Sequence, residues 1–163
     1  MKILLAIDES AASEAAVSLV VDQAKPKGTD VRLLHVVDSY PERLAKRLGG
    51  HDSPDFCAAR LNQRRLAQEL LERASGKLRA AGFSVSSSIE EGDVRAIIIQ
   101  EANVWRADLI VLGSSERKGI RYFWSTSIAE DVARAASCSV EIARARPWAA
   151  DCALETCGAS SAV

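Results

Sequence analysis

Short apolar runs alternate along the chain with stretches whose apolar residues recur every three or four positions. Residues 3–7 form a nearly continuous apolar run, stopped by Asp8, Glu9 and Ser10. That is the pattern of a strand buried on both faces. Ser10 predicts an N-cap, and Val17, Val20, Val21 and Ala24 fall on one face of the helix that follows, until Pro26 and Gly28 break it. Residues 31–37 predict a second strand. Residues 38–56 hold Pro41, Gly49, Gly50 and Pro54, with Arg43, Lys46 and Arg47 among them, and predict a solvated loop with at most one helical turn over 42–48. Leu66, Leu70, Ala74, Leu78 and Ala81 predict a long helix with Gly82 at its C′ position. Phe83, Val85 and Ile89, interleaved with serines, predict a strand at or next to a sheet edge. Gly92 and Asp93 turn the chain into a helix with the stripe Val94, Ile97, Ile98, Ala102, Trp105. Residues 108–113 are the clearest buried strand. A loop, a helix over 127–136 and a strand over 138–143 complete the pattern.

Strict alternation of strand and helix predicts an α/β fold: a doubly wound parallel sheet with right-handed crossovers and helices on both faces. In such sheets ligands bind beyond the carboxyl ends of the strands, where strand order reverses. Residues 8–10, 37–39 and 113–115 occupy those ends. One domain over 1–146 is expected. Residues 147–163, small and polar with no periodicity, are expected to form a flexible tail.

Composition narrows the function. A net charge of −1 argues against nucleic acid as a partner, because a binder of polyphosphate needs a surplus of Lys and Arg. No stretch is long and apolar enough to span a bilayer, and Asp8 interrupts the first apolar run too early for a secretory signal. Cys57, Cys138, Cys152 and Cys157 include no C-x-x-C pair, so reduced thiols and a cytoplasmic location are expected.

The loop opening at Gly113 reads Gly-Ser-Ser-Glu-Arg-Lys-Gly and is not a Walker A loop, because Gly119 is followed by Ile120 rather than Lys. Two readings of Ser127 stand side by side. Its helix terminus could hold an anion, or Ser127 and Glu130 form a capping box that starts the helix. Asp8 either solvates a turn or accepts a hydrogen bond from a ligand. His35 is expected to be satisfied within the sheet and His51 to be solvated. No Ser-His-Asp or Cys-His arrangement can be argued from spacing, so no catalytic residue is assigned, nor any metal ligand. Tyr122, Phe123 and Trp124 either cover one end of the sheet or form a contact surface. In the last strand, from Cys138 through to Ala143, Val140 and Ile142 alternate with Ser139 and Glu141, an edge pattern able to pair with a second copy.

Taken together, the opening Ile-Leu-Leu-Ala-Ile-Asp8-Glu-Ser10, the following Glu14-Ala15-Ala16, Leu34-His35-Val36-Val37, Glu91-Gly92-Asp93, Ala107-Asp108-Leu-Ile-Val-Leu-Gly113-Ser114, Ser127-Ile-Ala-Glu130 and Ser137-Cys-Ser-Val140 resemble the universal stress protein (UspA-like) family over about residues 1–144. The resemblance implies a five-stranded sheet of order 3-2-1-4-5 and a homodimer, commonly formed through the last strand. It also implies an ATP or AMP site built on Gly-x-x-Gly, nine residues, Gly-Ser/Thr. Here Gly113, Ser114 and Ser127 match, whereas Glu116 and Thr126 replace the second and third glycines. Glycine permits close backbone approach to phosphate. Glu116 adds a charge of the wrong sign, which Arg117, Lys118 and Arg121 offset only if they point inward. Asp8 matches the aspartate that contacts base or ribose, and Val37 the position whose backbone reads adenine.

The resulting expectation is a stress-response regulatory or interaction dimer, not an enzyme, with a degenerate nucleotide site, no resident cofactor and protein partners. The alternative is an ATP- or AMP-dependent switch, with slow hydrolysis left open. A third reading is a redox adaptor using Cys152 and Cys157.

Overall fold

The computed structural model describes residues 1–37, 50, 53–114 and 126–144. Nine elements alternate along them: β1 (Lys2–Ala6), α1 (Ala11–Gln23), β2 (Asp30–Val37), α2 (Pro54–Ala80), β3 (Ser84–Glu91), α3 (Val94–Trp105), β4 (Leu109–Ser114), α4 (Thr126–Ala135) and β5 (Ser139–Arg144). The strands form one all-parallel sheet of order β3-β2-β1-β4-β5, as expected. The order reverses between β1 and β4, because β1 leads by its crossover to β2 on one side and β4 to β5 on the other.

Period-two alternation in the central strand divides the core into two layers. Ile3, Leu5 and Ile7 pack on one face with Val17 and Val20 of α1 and Leu71, Ala74 and Leu78 of α2. Leu4 and Ala6 pack on the other with Ile98 and Ala102 of α3 and Ala129 and Val132 of α4. β3 and β5 are the two edges. The serines of β3 stand on a strand that pairs on one flank only among the described residues, which agrees with the edge or near-edge placement read from the sequence.

Helix ends follow local chemistry. Ser10, Ser53 and Asp93 cap α1, α2 and α3, each accepting from the backbone N–H three residues on. Gly82 follows the end of α2 with φ +92°, as its C′ reading requires.

Four expectations are corrected. The buried face of α1 is Ala12, Ser13, Ala16, Val17 and Val20, and Val21 and Ala24 sit at its half-buried margin. The first turn packs against the sheet through small residues, which a count of large apolar ones overlooks. In α2 the buried stripe is Ala67, Leu71, Ala74, Ser75 and Leu78, which leaves Leu66 38% exposed. α2 also starts inside the segment read as loop, because Ser53 caps it and Pro54 lies in its first turn, where proline's missing N–H costs nothing. α4 begins at Thr126, so Ser127 lies within its first turn rather than at its cap.

Pro41, Gly49, His51, Glu116, the Tyr122-Phe123-Trp124 cluster, Arg117, Lys118, Arg121 and the 147–163 tail with Cys152 and Cys157 lie outside the described residues.

Candidate functional site

β1 is central and paired on both sides, with Ala6 opposite Leu34 of β2 and Leu112 of β4. Its carboxyl end is held firmly. The Ile7 N–H donates to the Leu34 carbonyl at 2.9 Å, and the Ile7 carbonyl lies 2.9 Å from His35 Nδ1. A carbonyl only accepts, so His35 carries its proton on Nδ1 and is satisfied within the sheet, as read from the sequence.

The next residue, Asp8, is 8% exposed. A buried carboxylate needs hydrogen-bond partners, and α1 supplies them. Asp8 Oδ1 accepts from the Ser10 N–H at 3.0 Å, Ser10 Oγ at 2.5 Å and Ser13 Oγ at 2.5 Å. The Asp8 N–H donates to Ser13 Oγ at 2.8 Å, and the Ser13 N–H donates to Ser10 Oγ at 3.2 Å. Asp8 Oδ2 has no partner among the described residues. Ser13 is the member of this network that the sequence reading missed. Its signal was the spacing Asp-x-Ser-x-x-Ser across a strand end and a helix cap, which lets two hydroxyls of one helical turn converge on one carboxylate.

Gly113 sits across the β1–β4 boundary. A Cβ there would lie 2.5 Å from Ala12 C, 2.6 Å from Ala12 O and 2.7 Å from Ser13 N. The first turn of α1 therefore rests directly on the end of β4, and glycine is required at this position for packing alone. The same contact seats Ser13 over Asp8. Ser114, the last residue of β4, pairs with Arg144 of β5. Val37 ends β2 at 6% exposure, and its carbonyl accepts from the Gly92 N–H at 3.0 Å. Glu91 beside it is tied to Arg60 of α2 at 2.6 Å. The Glu91-Gly92-Asp93 stretch thus closes the end of β3 and caps α3. Topology brings Asp8, Val37, Gly113 and Ser114 to the carboxyl edge of three adjacent strands. Ser127 is in the first turn of α4, and Glu116 lies outside the described residues.

Two cavities open between α1 and α2, and Asp8 lines both, whereas Val37, Gly113 and Ser114 line neither. The larger, about 670 Å³, is bordered by Glu9, Glu14, Glu69, Glu72 and Arg73. The smaller, about 220 Å³, has an apolar floor of Ile7, Val17, Leu70 and Ala74, with Arg73 and Lys77 at its rim. Among the side chains of the larger cavity, Glu69 is ion-paired with Arg65 of the same helix. Among the described residues no group of three or more His, Cys, Asp or Glu side chains is arranged to hold a metal ion. No described helix is long and apolar enough to cross a membrane. Cys57 is exposed, while burial pushes the partly buried Cys138 thiol above its ordinary pKa of 9.0 and keeps it protonated.

Comparison with known proteins places this arrangement. A Staphylococcus aureus (strain USA300) protein assigned to the universal stress proteins is 28% identical over 153 residues, spanning 91% of this chain and 87% of its own. Hypothetical protein MJ0577 superposes with a TM-score of 0.72 at 24% identity, covering 90% of this chain and 96% of that one. A universal stress protein family member from Arabidopsis thaliana, solved with AMP bound, superposes with a TM-score of 0.65 at 20% identity over 90% of this chain and 93% of its own. At these identities the two structures attest the fold. The family is attested by the sequence itself: residues 1–144 match the Universal stress protein family, and the chain belongs to it.

Proposed function

We propose that this chain is a non-enzymatic regulatory member of its family, a homodimer whose crevice keeps the nucleoside end of an adenine-nucleotide site and has lost the triphosphate end. The observation that carries this reading is Asp8, a buried carboxylate at the end of β1, beside the β1–β4 boundary where strand order reverses, with one oxygen fully engaged and the other without a partner among the described residues. The AMP bound to the Arabidopsis neighbour supports an adenine nucleotide as the ligand class. Glu116 and Thr126, standing where the family pattern has glycine, support the loss of the phosphate end. Val37 contributes through its backbone only, and its carbonyl already takes one hydrogen bond, from Gly92.

A non-catalytic role is supported by how the candidate nucleophiles and bases are spent. His35 is committed to a main-chain carbonyl, and Cys138 is held as a thiol. A dimer through β5 is supported by its edge position and by the half-buried Val140 and Ile142, which a second copy would cover. Light scattering on the purified protein checks this part; a monomer at micromolar concentration contradicts it.

The second reading, an ATP- or AMP-dependent switch, differs in one measurable respect. Calorimetric titration with MgATP and AMP, run beside analysis of nucleotide released on denaturation, separates the two. The proposal predicts no ATP in the purified protein and weak or absent heat with MgATP. It also predicts that Glu116→Gly with Thr126→Gly tightens ATP binding at least about tenfold, worth about 1.4 kcal/mol. Stoichiometric ATP in the wild-type protein would establish the switch instead.

A further inference from the structure

Of Asp8, Val37, Gly113 and Ser114, only Asp8 lines the smaller cavity between α1 and α2, so this cleft is not the crevice where strand order reverses. Its floor is part of the core. Ile7, Val17 and Ala74 are 1%, 4% and 6% exposed, and Leu70 packs half-buried against the same layer. An aliphatic group laid on this floor would leave water, which is favourable in proportion to the apolar area covered. At roughly 30 Å³ per water in the liquid, the 220 Å³ of the cleft has room for about seven waters, or for one small aliphatic molecule.

The walls of the cleft carry opposite charges. Asp8 and Glu14 line it from the side of β1 and α1, and Arg73 and Lys77, one turn apart on one face of α2, line it from the other. Earlier in α2, Arg60 and Arg65 are ion-paired with Glu91 and Glu69. Glu14, Arg73 and Lys77 are in no ion pair among the described residues. Acidic and basic side chains thus border the cleft in equal number without neutralising one another. A simple anion entering it is repelled by Asp8 and Glu14, and a simple cation by Arg73 and Lys77. A molecule that carries both charges is complementary to both walls.

We infer that the α1–α2 cleft is a second small-molecule site, for an aliphatic zwitterion: an α-amino acid about the size of valine or leucine. Its side chain lies on the floor of Ile7, Val17, Leu70 and Ala74. Its carboxylate is held by Arg73 and Lys77, and its ammonium group is turned toward Glu14. The inference does not rest on the adenine-nucleotide reading, because the charged anchors Glu14, Arg73 and Lys77 belong to α1 and α2 alone.

The test is an amide NMR titration of the full-length protein with L-leucine, which locates binding as well as measuring it. Saturable shifts are expected at Glu14, Val17, Leu70, Ala74 and Lys77, with a Kd of about 1 mM or tighter, within reach of a ligand this small. Arg73 and Lys77 are exposed, so Arg73→Gln/Lys77→Gln leaves the core intact. That variant is expected to bind leucine at least about tenfold more weakly. On the wild-type protein, isocaproate, which lacks the ammonium group, and isoamylamine, which lacks the carboxylate, are each expected to bind at least about tenfold more weakly than leucine. Glu14→Gln should weaken leucine and not isocaproate. Leucine is expected to bind equally well with AMP present.

Absence of saturable shifts at these amides in wild type would overturn the inference. So would equal leucine affinity in Arg73→Gln/Lys77→Gln. Isocaproate binding as tightly as leucine would show that the cleft does not read a zwitterion, and displacement of leucine by AMP would show that cleft and crevice are one site. Either result would also overturn it.

Discussion

The two ends of the sheet use their polar residues differently. At the amino end, Asp108 Oδ2 accepts from the Lys2 N–H at 2.7 Å, and Lys2 Nζ donates to the Trp105 carbonyl at 3.1 Å. Lys2 Nζ and Arg32 Cζ lie over the Trp105 ring at 5.5 and 4.9 Å from its centre, and Arg32 pairs with Glu101. That end is sealed by an aromatic ring and mutually satisfied charges. At the carboxyl end, Asp8 is more deeply buried than Arg32 or Glu101, yet it keeps an oxygen in reserve beside two cavities. The same strands run through both ends. What separates structure from site is therefore whether the local hydrogen-bond capacity is used up. A buried carboxylate held by its own helix, with capacity left over, is a stronger pointer to a ligand than charge or burial alone.

The comparison can be broken most forcefully at Gly113. Gly113→Ala drives a methyl into the α1 main chain, which has no flexible side chain to yield. A loss of about 3 kcal/mol in urea unfolding is expected, the same with and without nucleotide. A loss below about 1 kcal/mol would mean that α1 does not rest on β4 as described. Asp8→Ala comes next. It strands the Ser10 and Ser13 hydroxyls without their acceptor and should cost about 1–3 kcal/mol, read from the same unfolding curves. At the sealed end, Arg32→Ala removes a partly exposed ion pair and a ring contact, and about 1 kcal/mol is expected with no change in ligand binding.

The smallest effect concerns Cys138. Burial, with a further contribution from the Asp108 charge, raises its pKa above 9.0, so less thiolate is present at any pH below the raised value. Alkylation by iodoacetamide at pH 8, followed by mass spectrometry, should be slower at Cys138 than at a free cysteine. The sign for stability follows: the protonated form is favoured in the fold, so its contribution is whole below the unfolded pKa and is lost as pH rises through the folded one. Alkylation as fast as that of free cysteine would contradict the burial.

Most of the sheet was legible because its strands are buried on both faces and read as continuous apolar runs, 108–113 above all. β3 was legible as an edge for the opposite reason, its serines. α2 was harder. Its leucines are scattered among Arg, Gln and Glu, so Leu66 and Leu70 suggested a face shifted by one position from the observed Ala67, Leu71, Ala74 and Leu78. Leu66 and Leu70 border the larger cavity, and Leu70 also packs half-buried against the core. At the site, Asp8 was legible as a strand-end aspartate, and the family pattern singled out Gly113. What the sequence could not display is that Gly113 is fixed by α1 lying on it, since close approach of two backbones leaves no mark on composition or period. Nor could it display that one helical turn spends two serine hydroxyls on a single oxygen of Asp8.

The most direct test of the central claim is calorimetric titration of adenosine and AMP into wild type, Asp8→Ala and Arg32→Ala, all full length. The account predicts binding to wild type and Arg32→Ala with matching affinity, and a loss of at least about tenfold in Asp8→Ala. Equal affinity in Asp8→Ala and wild type would contradict it, and would show that the reserve oxygen of Asp8 is not where this protein meets its ligand.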